Sequence, residues 1–142
     1  MDVITQIADA VVEELNAATL SLPFTAVRYF EPVFELPEMK VLHVSVVPND
    51  EETQNVSRGR KRHDYRIDVA VQKKFDTKDP VELDPLMKLT KEIAELFGTR
   101  RLAAMPSAAS VKAVNDPIYD PEHMEKYRQF TSLVTVTVRI YG

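Results

Sequence analysis

Apolar and polar residues recur along this chain with two different periods, and the changes of period predict the order of helices and strands. Over residues 3–17 the apolar positions follow helical spacing, with Ile7, Val11 and Leu15 on one face. Asp2 precedes this stretch and suits an N-cap, because its carboxylate can accept a hydrogen bond from a free N–H of the first turn. The first predicted element is therefore a helix.

A second helical pattern is stronger than the first. Asp84 and Pro85 suit the N-cap and the first helical position. Gly98 follows the last apolar residue, where glycine commonly ends a helix. The residues that share the apolar face are Leu86, Leu89, Ile93, Leu96 and Phe97. The pattern therefore predicts a helix between Asp84 and Gly98.

Strands are predicted where apolar residues alternate with polar ones or where β-branched and aromatic residues cluster. In chain order these stretches cover residues 26–36, 40–47, 65–72, 110–116 and 134–141. The first contains Pro32, which removes a donor from the strand ladder, so an edge strand or a bulged strand is expected there. Pro48 is expected to end the second strand. Residues 99–109 are rich in small residues and are predicted to form a loop.

The order of elements is helix, three strands, helix and two strands. Short links between successive strands favour antiparallel hairpins, and both helices are then expected on the same face of the sheet. The predicted fold is α+β, with a mainly antiparallel sheet of about five strands and two helices packed on one face. The length of 142 residues fits a single domain spanning residues 1–142.

The link between the second and third predicted strands has the most unusual charge pattern in the chain. Residues 49–63 are mostly polar and are predicted to form a loop, which would be long for a hairpin connection. Its acidic residues come first and its basic residues later, although the whole chain has a formal net charge of −4. The charged residues predicted to make contacts are Asp50, Glu51, Glu52, Arg58, Arg60, Lys61 and Arg62.

Three interpretations of this charge pattern stay open. A charge run most often forms a solvated surface loop. The basic residues could instead contact nucleic-acid phosphates without reading sequence, although no aromatic residue lies between positions 49 and 63 to stack on bases. In the third interpretation, the acids of one copy pair with the bases of the next, in a head-to-tail arrangement that can close into a ring.

Residues suited to catalysis or to metal binding are few. The three histidines, His43, His63 and His123, fall in separate predicted elements and lack metal-ligand spacing. The chain has no cysteine, and its three glycines are too far apart for a phosphate-binding loop. The sequence therefore predicts no catalytic, cofactor-binding or metal site. An enzyme that uses His43 with a carboxylate stays an open alternative. No membrane partner is predicted, because no apolar run approaches the roughly twenty residues that span a bilayer.

Several stretches together give the chain a resemblance to a known class of proteins. They are 41-VLHVSVVPND-50 with 65-YRIDVAVQKKF-75, the helix 84-DPLMKLTKEIAELFG-98, and 117-PIYDPEHMEKYRQFTSLVTVTVRIY-141. In the last of these, Thr131 and Ser132 open a regular strand. In this layout, which covers most of the chain, the protein resembles the tail-terminator and tail-completion (neck) proteins of long-tailed bacteriophages.

This resemblance implies a structural assembly protein that has no cofactor and is not an enzyme. Proteins of this class form a homo-oligomeric ring, commonly a hexamer, at the end of the tail tube, where the ring stops tube growth and joins the tail to the head. The implied partners are other copies of the chain, the tail tube protein and a head-completion or connector protein, with DNA passing through the lumen. The implied location is the virion tail or neck, after assembly in the host cytoplasm.

Two alternatives to the terminator role stay open at this point. One is a neighbouring component of the head–tail connector, which the resemblance does not separate from a terminator. The other is a nucleic-acid-binding module that uses the basic residues between positions 58 and 62.

Overall fold

A computed structural model describes residues 2–30, 40–76 and 79–142 of the chain. Its elements, in chain order, are α1 Val3–Ala17, β1 Ala26–Arg28, β2 His43–Ser57, β3 Arg60–Lys74, α2 Pro80–Leu96, β4 Arg100–Leu102, β5 Met105–Asn115, α3 Pro121–Tyr127 and β6 Gln129–Tyr141. Within these described ranges, no helix has both the length and the apolar character needed to cross a membrane.

The strands form one sheet with the order β1-β2-β3-β6-β5-β4. Neighbouring strands run antiparallel, except that β1 and β2 are parallel. The predicted α+β class with a mainly antiparallel sheet is therefore confirmed. The prediction of about five strands and two helices is corrected to six strands and three helices in the part of the chain that the structure describes.

The additional strand and helix arise from stretches with weak local signals. Residues 99–109 were predicted to form a loop, but they contain β4 and the first half of β5. They have few β-branched or aromatic residues, so their pairing within the sheet decides their conformation. α3 begins after Asp120, whose Oδ1 accepts hydrogen bonds from the N–H groups of Glu122 and His123, at 2.9 and 3.2 Å. This N-cap starts the short helix.

β1 differs from the expected pattern of antiparallel hairpins. It pairs in parallel with β2, with Ala26 opposite Val44 and Arg28 opposite Val46. β1 lies at one edge of the sheet, as predicted for residues 26–28. The rest of that predicted strand, including Pro32, overlaps residues 31–39, which lie outside the described residues.

The core lies between one face of the sheet and the two long helices. Ile67 and Val69 of β3 pair with Val136 and Val134 of β6, and all four side chains are fully buried. The helix residues buried in the same core are Ile7, Ala8, Ala10, Val11 and Leu15 of α1 and Leu86, Leu89 and Ile93 of α2. Both helices therefore cover the same face, as the sequence predicted.

α1 spans Val3–Ala17, as its helical pattern predicted, with Asp2 in the N-cap position. The side chain of Asp2 makes no capping hydrogen bond, so only the position of the cap is confirmed.

α2 begins earlier than predicted. Its N-cap is Asp79, whose Oδ1 accepts a hydrogen bond of 2.9 Å from the Val81 N–H, and Pro80 is its first residue. The sequence contains the same Asp-Pro pair again at positions 84 and 85, where the start was predicted. Pro85 instead lies inside the helix, which still ends just before Gly98, as expected.

Candidate subunit interface

The predicted loop over residues 49–63 is wrong, because β2 and β3 continue through it as one long hairpin. Only Arg58 and Gly59 lie between the two strands. Gly59 has a φ of +78°, in the left-handed region that glycine occupies without strain. Pro48 does not end β2; a bulge between Pro48 and Asp50 carries the pairing past the proline. We call residues 49–62 of this hairpin the arm.

The arm extends beyond the core and is exposed on both faces. Every residue of β2 from Asn49 to Ser57 is exposed, so neither face of this part of the strand is covered. On the other side of the hairpin, β6 ends at Tyr141, opposite Arg62. Among the described residues, the arm beyond Arg62 therefore has strand neighbours only within the hairpin itself.

The four basic residues of the arm fall into two pairs. In the described part of the chain, the side chains of Arg58 and Lys61 make no hydrogen bond or ion pair, and both are exposed. Arg60 lies over the ring of Tyr141, with Cζ 4.7 Å from the ring centroid. Arg62 donates a hydrogen bond to Gln54 Oε1. Two of the predicted contact residues are thus available to a partner, and two are already engaged.

The acidic residues of the arm are also divided between engaged and available groups. Arg66 Nε lies 2.6 Å from Asp50 Oδ1, and its Nη2 lies 3.6 Å from Glu52 Oε2. The hydrogen bond to Asp50, with a smaller contribution from Glu52, raises the pKa of Arg66 above its ordinary value. Glu51 has no side-chain hydrogen bond or ion pair among the described residues.

A fourth acid, Asp64, lies just after the arm and links β3 to the last strand. Its two oxygens accept hydrogen bonds of 2.8 and 3.2 Å from Arg139 of β6. Arg62 Nε lies 3.7 Å from the same carboxylate. The hydrogen bond from Arg139 is the main cause of a pKa for Asp64 below its ordinary value, although burial opposes it.

These ion pairs include residues that the sequence analysis missed. Arg66, Asp64 and Arg139 were not predicted as site residues, yet they hold the arm against the sheet. The alternation from Tyr65 onwards already placed Arg66 on the polar face of a strand. Between Arg60 and Asp64 both faces of the strand are polar, so the apolar–polar alternation that marks a strand is absent there. The sequence pattern therefore could not predict that β3 begins at Arg60.

Of the three histidines considered as possible metal or catalytic residues, only His63 lies near the arm's charged groups. Its Nδ1 is 3.0 Å from Thr53 Oγ1 across the hairpin. His43 opens β2, and His123 lies in α3 with its Nδ1 2.8 Å from Thr131 Oγ1. No group of three or more histidines or carboxylates suited to hold a metal ion occurs within the described ranges.

Asp64 gives this site a testable pH dependence. A carboxylate whose pKa is lowered by folding stabilises the protein above its unfolded-state pKa, and this contribution is lost as the pH falls through the folded-state pKa. Asp64→Asn should therefore lower the free energy of unfolding at neutral pH by about 1.5–3 kcal/mol, the range for a hydrogen bond to a charged group. Urea titrations at several pH values should show this difference shrinking towards strongly acidic pH. A difference that stays constant with pH would contradict the assignment.

No family model matches this chain, and no curated protein shows a significant match to it.

Proposed function

We propose that this protein is a ring-forming assembly protein of a long-tailed bacteriophage, which caps the tail tube and joins the tail to the head. The observation that carries the proposal is the arm, a polar hairpin exposed on both faces and extending past the core. The resemblance of the sequence to tail-terminator and neck proteins supplies the biological setting. The arm supplies a physical means by which copies can contact one another or the tube.

The physical argument concerns what an isolated hairpin lacks. Two strands with polar side chains and no covered face are marginal in water. A strand edge with unpaired N–H and C=O groups also tends to attract another chain. Contact with a neighbouring subunit or with the tube would remove both weaknesses, so the arm is better suited to an assembly than to an isolated monomer.

The basic tip is the part of the arm that we assign to this contact. Arg58 and Lys61 are exposed, lie on either side of Gly59, and have no ionic partner among the described residues. Charged groups at the rim of an interface chiefly select the partner and its orientation, because each exposed pair contributes only about 0–1 kcal/mol. The proposed partners are other copies of the chain, the tail tube protein and a head-completion protein.

Tube capping provides the direct test. Purified protein added to polymerising tail tube protein should bind at tube ends and limit tube length, as measured by electron microscopy and light scattering. The double variant Arg58→Glu with Lys61→Glu should cap several-fold fewer tubes, because both free positive charges at the tip are reversed. The control Lys88→Glu with Lys91→Glu makes the same charge change on the exposed face of α2 and should cap normally.

Two results would count against this function. One is a protein that stays monomeric at all concentrations, with and without tube protein, and leaves tubes uncapped. The other is tight binding to DNA at low salt that is lost in the Arg58 and Lys61 variant, without any effect on tubes. The second result would favour a nucleic-acid-binding module instead.

A further inference from the structure

The register of the sheet links residues at its two lateral edges. Cross-strand partners lie side by side, so successive partners trace one row across the sheet. One such row runs from Asp50 through Arg66 and Thr137 to Lys112. This row has an acid where it meets the β2 edge and a base where it meets the β5 edge.

A second row repeats this polarity. It runs from Glu52 through Asp64, Arg139 and Ala109 to Arg101 of β4. The acids of β2 and the bases of β4 and β5 therefore lie at the same heights on opposite edges of one sheet.

The charges at these edges are not fully neutralised within the chain. On the β2 edge, Asp50, Glu51 and Glu52 carry three negative charges against one positive charge on Arg66, which leaves −2. On the opposite edge, Arg101 donates to the carbonyl of Pro106 but, like Lys112, has no ion pair among the described residues, which leaves +2. The two edges are therefore complementary in charge.

The backbone is also open on both edges. β1 pairs with β2 only from Val44 to Val46, so the described residues leave the outer side of β2 unpaired from Val47 onwards. β4 pairs with β5 only as far as Ser110, so the outer side of β5 is similarly unpaired over residues 111–115 in the described part of the chain. β2 and β5 run in opposite directions, because each of the three pairings between them is antiparallel.

We propose that a second copy of this chain occupies each edge, with the acidic edge of β2 in one copy facing the basic edge of β4 and β5 in the next. A rotation about an axis parallel to the strands leaves the strand directions of the second copy unchanged. Because β2 and β5 run in opposite directions within one copy, β2 and the neighbour's β5 meet as antiparallel strands. Asp50 then faces the Lys112 of the next copy, and Glu52 faces its Arg101. The contact joins two different surfaces, so repetition closes into a ring when the rotation allows it.

This arrangement rests on the self-assembly proposed above and specifies its geometry. It replaces the simpler idea that the acids of one arm pair with the bases of the next arm. In the structure, two of the arm's four bases are already engaged within their own subunit, Arg60 with the ring of Tyr141 and Arg62 with Gln54. The complementary bases with no acidic partner among the described residues include Arg101 and Lys112 on the far edge, neither of which the sequence analysis selected.

Charge exchange between the edges tests the proposal. The variant Asp50→Lys with Glu52→Lys makes both edges basic, and Arg101→Glu with Lys112→Glu makes both edges acidic. Each variant alone should self-associate about tenfold more weakly or worse, as measured by analytical ultracentrifugation, because like charges then face each other. An equal mixture of the two should assemble again, with the variants alternating around the ring, and its assembly should weaken as salt rises.

Matched controls carry the same charge changes away from the edges. Glu13→Lys with Glu95→Lys and Lys88→Glu with Lys91→Glu alter exposed helix residues and should assemble like the unaltered protein. Circular dichroism should show native folding for all variants.

The possible results separate this proposal from the proposed function. If both edge variants assemble and cap tubes normally, the edge pairing is overturned and the ring function stands. Failure of the mixture to assemble, when each variant is folded and the controls assemble, also overturns the edge pairing. If the unaltered protein assembles under no condition and never caps tubes, the proposed function fails and the edge pairing fails with it.

Discussion

Replacing Glu14 by alanine should lower the free energy of unfolding by about 3 kcal/mol, the lower part of the range for breaking a buried ion pair. The Glu14 side chain is only 5% exposed and connects α1 to the turn after β4. Its Oε2 accepts a hydrogen bond of 2.6 Å from Arg100 Nε, and its Oε1 accepts one of 2.6 Å from the Ala103 N–H. The alanine variant leaves both donors without their acceptor.

The charge state of Glu14 follows from the same contacts. Burial on its own raises the pKa of Glu14, but the hydrogen bonds from Ala103 and Arg100 outweigh burial and hold the pKa below its ordinary value. The carboxylate is therefore ionised at neutral pH and attracts the Arg100 guanidinium. Because Arg100 is about half exposed, water can solvate it in the variant, which keeps the expected loss below that of a fully buried pair.

Urea unfolding of three variants separates these contributions. Glu14→Gln retains an acceptor for the Ala103 N–H and should lose less stability than Glu14→Ala. Glu13→Ala changes an exposed neighbour on α1 and should stay within about 0.5 kcal/mol of the unaltered protein. Equal losses for Glu13→Ala and Glu14→Ala would show that helix propensity, rather than the link to β4, is responsible.

The second large effect is expected at Phe130, near the start of β6. This side chain is 1% exposed and belongs to the core between the sheet and the long helices. Phe130→Ala should lower the free energy of unfolding by about 3–5 kcal/mol, because it removes buried apolar surface and leaves a cavity. The measurement is chemical denaturation, with an unchanged dependence on denaturant as evidence that the folded state is retained.

Phe30 provides a matched control for this change. It is 77% exposed, and the guanidinium of Arg28 lies over its ring, with Cζ 5.3 Å from the ring centroid. Phe30→Ala should cost no more than about 1 kcal/mol, the range for an exposed cation–π contact. If Phe30→Ala lowered the free energy of unfolding as much as Phe130→Ala, burial in the core could not explain the effect at Phe130.

Strongly periodic elements could be predicted from the sequence, and elements defined by long-range pairing could not. The apolar alternation around Ile67 and Val136 predicted the two central strands, and the helical face of α1 predicted its bounds. β4 has only three residues, Arg100–Leu102, and forms because β5 lies beside it. No local pattern encodes such a strand.

The predicted contact residues show the same division. The charge run selected charged residues between positions 50 and 62, but a one-dimensional pattern cannot show which charges meet across a hairpin. Register decides this, because it places Arg66 beside Asp50 and Asp64 beside Arg139. The register also places Arg101 and Lys112 in the same cross-strand rows as the acids of β2. Nothing in the sequence pattern distinguishes these two residues.

The polar character of the arm has a consequence for the free chain. A newly synthesised chain with a long uncovered strand would ordinarily be prone to nonspecific edge-to-edge pairing with other strands. Here that strand carries Asp50, Glu51 and Glu52 in succession, and adjacent carboxylates repel a second copy presented in the wrong register. In the proposed ring, the same three side chains would keep free chains dispersed and still admit a neighbour whose opposing edge is basic.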